Sequence, residues 1–374
     1  PDVEADFERT LRFWFDMGVD GFRIDVAHSM VKAEGLPDVG SLVYDLVDNM
    51  EDIAVDHPHW DRDEVHDIFR VWRKIADTYD PPRVFVAEAW VPHPERLARY
   101  VRSDELHTAF NFEYLVSPWL AGDLRQAIDN AISSHEAVGA PPTWVLSNHD
   151  VIRHVSKYAR PQTPGRGLRS LLDVRDVPAD LELGTRRARA AALLMLALPG
   201  GVYVYQGEEL GLPEVEDLPR DVLQDPTWRR SGHTDPGRDG CRVPLPWSGD
   251  TAPYGFSPDG TPTWLPQPDE WARYTAAAQL GDPTSMLELY RSALAERRSN
   301  PALGDGTLEW LDSPAGSLTF ARSDGFVCIV NVSAEPVALP EGAQVILASG
   351  PLTDDARVPA DTAVWLRSRC ASAG

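Results

Sequence analysis

Residues 18–28 read GVDGFRIDVAH, Gly18 to His28, a short alternating run that carries an acid near its end. Phe22, Ile24 and Val26 alternate with Arg23 and Asp25, the period of a half-buried strand, and Asp25 falls near the carboxyl end of that strand. In α/β folds the side chains leaving strands at that end converge on one open face, where barrels and open sheets carry their chemistry. Asp25 is therefore placed to react. Arg23 lies two positions earlier and so on the same strand face, where it can pair with an ionised Asp25 carboxylate. An arginine there can equally serve as an ion-pair partner that holds strands together.

Outward from this stretch, strands and helices alternate. Asp2 is suited to cap a helix with Val3, Phe7, Leu11, Trp14 and Phe15 at helical spacing, and Gly18 to end it. Amphipathic helices are expected over 38–53 and 62–78, and Pro81-Pro82 then breaks the chain before the apolar run Val84-Phe85-Val86-Ala87, which ends on Glu88. A helix near 94–101, a strand from His107 to Tyr114 and a helix opening at Asp123 follow. Thr143 to Leu146 is a short strand ending in Ser147-Asn148-His149-Asp150, and 160–180 has the Pro, Gly and Arg content of a surface loop. A helix over 185–197 leads through Pro199-Gly200-Gly201 into a strand, Val202 to Tyr205. Such alternation means βα units around a parallel sheet. Residues 210–282 are rich in Pro, Gly and Trp, an excursion too long to be an ordinary connection. After a helix at 283–299, short β-like runs at 317–322, 326–332, 344–348 and 363–366 predict a small antiparallel domain.

Three acids, Asp25, Glu88 and Asp150, each directly follow or end a short apolar strand. Parallel strands would bring them to one rim. Two carboxylates about 5 Å apart let one attack an anomeric carbon while the other protonates the departing oxygen, the retaining glycosidase arrangement, and a third can hold sugar hydroxyls. Glu88, between Ala87 and Ala89-Trp90, has apolar neighbours of the kind that favour a general acid. One acid after a strand is more often a helix cap; three in the same context are not. His149 alone reads as a structural hydrogen-bonding group, His28 as a cap of the next helix or a solvent-facing side chain, Glu208 and Glu209 as caps, and most of the 12 Trp as core.

Composition narrows the partners. With 374 residues, 43% of them hydrophobic, the chain can bury a large domain and a smaller one. A net charge of −23 repels phosphate backbones and anionic lipid heads, so a small neutral substrate is expected rather than nucleic acid or a membrane. Cys241, Cys328 and Cys370 have no metal-ligand spacing and point to a reducing, cytoplasmic setting. No apolar run approaches a membrane span. The sequence opens at Pro1 inside a helix start, without Met or signal peptide, so more chain is expected upstream.

GFRIDVAH, VFVAEAW and VLSNHD resemble the second, third and fourth signature regions of the α-amylase superfamily of glycoside hydrolases (family 13). LPGGVYVYQGEELG resembles the family's last barrel strand, and RDGCRVPLPW with TWLP resembles an element of the α-glucosidase and oligo-1,6-glucosidase branch. The resemblance implies a (β/α)8 TIM-type barrel with strands four to eight present, over 1–300, followed by a small antiparallel β-sandwich domain over 301–374. It implies that Asp25 is the nucleophile, Glu88 the general acid/base and Asp150 the acid that binds the hydroxyls of the distorted sugar. Arg23, His149 and Arg153 match substrate-binding residues of the family. Val26 matches a position where valine accompanies activity on α-1,6 linkages, or else it only packs under the next helix. Two departures stand out: the first signature region has no counterpart, and His28 replaces a lysine-histidine pair that amylases use for the leaving-group sugar.

The activity so implied is that of a retaining, exo-acting α-glucosidase on short oligosaccharides, α-1,4 or α-1,6 linked. A transglycosylase or sugar isomerase of the same superfamily, or a non-catalytic amylase-like barrel, are the alternatives. No organic cofactor is implied, and the usual ligands of a calcium site would lie upstream.

Overall fold

Gly18 ends the first helix because it adopts φ +96°, a left-handed conformation that costs a side-chain-bearing residue energy. In the computed structural model, which describes residues 1–38, 57–91 and 93–368, that helix is Asp2–Asp16. Pro1, not Asp2, occupies the N-cap, with no side-chain capping bond; Asp2 and Glu4 instead place negative charge in the first turn, where the helix dipole favours it. Leu11 and Phe15 face the core, while Val3, Phe7 and Trp14 remain exposed.

The chain divides into two compact units, Pro1–Phe112 with Ile128–Thr143, and Glu113–Ala127 with Trp144–Gly374. The first is built on three parallel strands, β1 (Gly21–Ile24), β2 (Val84–Ala87) and β3 (Thr108–Ala109), in that order. Gly21 sits opposite Val84, where a Cβ would stand 2.2 Å from the Val84 carbonyl oxygen, so only glycine lets the two backbones meet. The register runs on to Ile24 opposite Ala87, so Asp25 and Glu88 leave adjacent strands at the same level. Phe15 packs edge-on against Phe22 and Tyr79 and lies 6.0 Å from Phe85, and Phe69, Phe85 and Leu106 are fully buried. Each such aromatic contributes roughly 1.5–3 kcal/mol by leaving water.

The helix expected over 62–78 is Val65–Ala76, and that near 94–101 is Pro94–Arg99. The helix expected over 38–53 lies outside the described residues, apart from its first position. The strand expected from His107 to Tyr114 is only two residues long. Phe110 N–H still donates to the Ala87 carbonyl, but the chain then coils into a helix, Phe112–Val116, steadied by the Ser117 hydroxyl on the Glu113 carbonyl.

β4 (Thr143–Val145), which enters the second unit at Trp144, pairs with β5 (Gly201–Tyr203). The helix between them, Leu181–Ala197, starts four residues before the predicted 185 because Asp180 caps it through the Leu183 N–H. It is buried continuously from Ala190 to Ala197, which is why it reads as Ala- and Leu-rich rather than amphipathic. The loop at 160–180 contains a short helix, Leu171–Val174, with a Ser170/Asp173 capping box. Residues 210–282 hold no strand and close over their own core of Leu212, Val243, Leu265 and Trp271. After the helix Met286–Ser299 come β6 (Glu309–Trp310), β7 (Ser317–Ala321), β8 (Phe326–Asn331), β9 (Val337–Ala338), β10 (Gln344–Ala348), β11 (Arg357–Val358) and β12 (Thr362–Arg367). They form an antiparallel sheet of order β10-β12-β8-β7-β6 and a β11-β9 pair.

Candidate active site

At the carboxyl end of β1, Arg23 Nη1 donates to Asp25 Oδ1 at 2.7 Å, and Arg23 Nη2 lies 4.0 Å from Glu88 Oε2. One guanidinium thus bridges the two acids that leave neighbouring strands. Their environments differ: the Asp25 side chain is 69% exposed and that of Glu88 8%. An open carboxylate can approach a substrate carbon, whereas a buried one suits proton transfer in a dry setting.

Val26 is not a strand residue. Its φ of 46° and ψ of 44° are left-handed, which is costly for a β-branched side chain. The reversal aims its backbone N–H at Glu88 Oε2, 2.7 Å away, and leaves the side chain 39% exposed beside Asp25. His28, two residues further, neither caps a helix with its side chain nor faces solvent; it is 1% exposed, and Nδ1 accepts the Trp90 N–H at 3.3 Å. Burial pushes its pKa down to about 4, against the opposing pull of the Asp61 carboxylate. Trp90 is itself held by a stacked contact with Phe112, ring centroids 3.8 Å apart.

Asp150 belongs to the second unit. Its Oδ1 accepts from Arg238 Nη1 at 2.6 Å and from Arg242 Nη2 at 3.1 Å, and His149 Nε2 lies 3.4 Å from Oδ2. Arg238 is held in turn by Asp225, whose Oδ2 takes its Nε at 2.6 Å. Burial would raise the Asp225 carboxyl, but the bonds from Arg238 and the Thr227 N–H outweigh it and hold the group well below the usual carboxylate range. Arg242 also donates to the His149 carbonyl at 2.9 Å.

Arg153, matched by the motif to a sugar-contacting arginine, is 1% exposed. Its guanidinium donates to the Gln206 carbonyl at 3.0 Å and the Cys241 carbonyl at 2.8 Å, and it lies over the Tyr205 ring. Its charge therefore ties three segments of the second unit together, and the cations on Asp150 are Arg238 and Arg242. Sequence reasoning missed both in that role, although RDGCR was noticed as a motif; the signal was two arginines within five residues of an otherwise aperiodic stretch.

Residues 1–306 match the alpha-amylase catalytic domain family. The chain belongs to this family. Among relatives, α-amylase family members of the α-glucosidase branch stand out: a probable α-glucosidase of Rhizobium meliloti is 32% identical over 353 residues, 90% of this chain and 59% of that protein. An oligo-1,6-glucosidase of Parageobacillus thermoglucosidasius is 25% identical over 83% of this chain and 55% of its own length. The chain thus spans a little over half the length of these curated relatives. A crystal structure of an α-glucosyl transfer enzyme superposes with a TM-score of 0.77 at 26% identity, over 98% of this chain and 67% of that one. Together these give the fold class, a TIM barrel with a C-terminal domain. Among the described residues no helix is long and apolar enough to cross a membrane, and no group of three or more His, Cys, Asp or Glu is arranged to hold a metal ion.

Proposed function

We propose that this α-amylase family chain supplies the catalytic groups of a retaining, exo-acting α-glucosidase acting on terminal α-linked glucose of short neutral oligosaccharides. The observation that carries the reading is the pair Asp25 and Glu88 at the ends of β1 and β2, in register, one open and one buried, with Arg23 between them. The Asp25 carboxylate attacks the anomeric carbon while Glu88 gives its proton to the departing glycosidic oxygen, forming a glucosyl ester on Asp25. Water then attacks the same carbon, losing its proton to Glu88 and freeing Asp25. Asp150 is proposed as the acid that binds the sugar hydroxyls, His149 as its neighbour at the glucosyl unit, and Val26 as a contact at the linkage. We assign Arg153 a supporting part, holding 206–207 and 241 in place. In this reading residues 1–300 contribute barrel strands four to eight, with the excursion at 210–282, and 301–374 form the β-sandwich domain.

The test is hydrolysis of an α-glucoside followed by NMR. α-Glucose as first product, lost in Asp25→Asn, supports the reading; β-glucose as first product sinks it. A transfer activity is the second reading, favoured by the likeness to the α-glucosyl transfer enzyme. It differs in whether water or a sugar hydroxyl attacks the ester, so the ratio of free glucose to transfer products decides between them.

A further inference from the structure

We propose that His28 is a positioning residue for Glu88, its neutral imidazole fixing the backbone that carries the acid; the proposal rests on the acid/base reading of Glu88. Beyond the last paired residues of β1 and β2, the segments 24–28 and 88–90 are joined by four hydrogen bonds. Glu88 N–H donates to the Ile24 carbonyl at 2.9 Å and Ala27 N–H to the Glu88 carbonyl at 2.8 Å. Val26 N–H donates to Glu88 Oε2 at 2.7 Å, and Trp90 N–H to His28 Nδ1 at 3.3 Å. The first two are backbone bonds that any residue could make, and the third involves Glu88 itself. Only the fourth depends on a second particular side chain.

Accepting at Nδ1 requires a lone pair there, so the ring is neutral with its proton on Nε2. Burial favours that form, and it outweighs the Asp61 carboxylate and the Glu88 carbonyl, which pull toward the charged one. Among the described residues the ring's Nε2 is buried without a hydrogen-bond partner. Its backbone is fixed as well, since the His28 carbonyl accepts the Asp61 N–H at 2.6 Å. An aliphatic side chain would fill the same volume but leave the Trp90 N–H unpaired, and a buried unpaired donor makes the backbone move to find a partner. Trp90 is two residues from Glu88. The left-handed Val26 adds sensitivity, because a strained residue keeps its conformation only while its surroundings over-determine it. Once the 88–90 segment shifts, the Val26 N–H and the Glu88 carboxyl part, and the acid no longer stands at one place.

The experiment compares His28→Leu, His28→Asn and His28→Gln in the full chain, each with 4-nitrophenyl α-glucoside and with an unactivated disaccharide. Asparagine puts an oxygen where Nδ1 stands, whereas glutamine puts its polar end where Nε2 stands. His28→Leu is expected to lower kcat for the disaccharide by about 10²-fold, since proton transfer carries that step, and for the aryl glucoside by less than about threefold. His28→Asn restores the disaccharide rate and His28→Gln does not; this pair decides the matter if the leucine variant does not fold. Equal losses on both substrates, or an asparagine variant no better than the glutamine one, overturn the positioning role. Glu88→Gln run alongside separates the two readings. If it shows the leaving-group split and the His28 variants do not, positioning alone fails; if it shows no split, the acid assignment falls and this proposal with it.

Discussion

The backbone N–H of Val26 donates to Glu88 Oε2 at 2.7 Å, across 62 residues of sequence. The bond ties one carboxyl oxygen of Glu88 to the left-handed turn after β1, so that turn orients the acid on β2. Val26 thus joins the segment bearing Asp25 to the group expected to act with it.

Asp25→Asn should lower kcat on any α-glucoside by on the order of 10⁴-fold or more, because the amide cannot form the glucosyl ester. Its side chain is 69% exposed and bonded to Arg23, so the thermal midpoint should stay within about 2 °C of the parent. Near-normal turnover in that variant would remove Asp25 from the mechanism.

Val26→Thr keeps a β-branched side chain at the same backbone conformation and adds a hydroxyl next to Asp25. If the exposed Val26 side chain meets the leaving sugar, the ratio of kcat/KM for maltose over isomaltose should rise by roughly 1–2 kcal/mol of transition-state binding. An unchanged ratio would leave the valine as packing alone.

Arg242 and Arg153 should separate by the kind of loss they cause. Arg242→Met removes a partner of the Asp150 carboxylate at a partly exposed position and is expected to reduce kcat/KM roughly tenfold with a small change in melting. Arg153→Met strips two buried carbonyls of a charged donor and should cost about 3 kcal/mol of stability. A stable Arg153→Met enzyme with lowered kcat/KM would instead put that arginine at the substrate.

Acid should destabilise the fold through His28. Its pKa falls from 6.5 to about 4 on folding, so between those values the unfolded chain binds a proton that the native one refuses, and stability falls as pH falls. The loss amounts to about 3 kcal/mol by pH 4, and all of it is recovered by about pH 7, above which His28 contributes no further change. His28→Asn does not titrate and should flatten the denaturant-unfolding curve against pH over that window. Parallel curves for parent and variant would show that other groups carry the acid sensitivity.

What the sequence determined by itself was local. Alternation at 21–24 and the apolar run at 84–87 specify strands because side-chain period follows directly from backbone geometry, and an acid written immediately after each strand emerges at its end wherever the strand goes. That is why Asp25 and Glu88 could be picked out together, with Asp150 four positions past the apolar run 143–146, and why the β-rich character of 317–366 was readable from short apolar runs. Tertiary structure alone decided how those groups are held. The turn of Val26 into left-handed space has no local cause, such as a glycine, and exists because a carboxylate 62 positions away accepts its N–H. His28 looked like a surface or capping residue because histidine is indifferent to either setting, and only the approach of Trp90 makes it a buried acceptor. Arg238 and Arg242 reach Asp150 across 88 and 92 residues, through an excursion with no periodicity, while Arg153, three residues away in sequence, turns into the core. Periodicity reports the path of the backbone, whereas the partner of a long charged side chain depends on which loops fold back over it, and that is settled only when the whole chain packs.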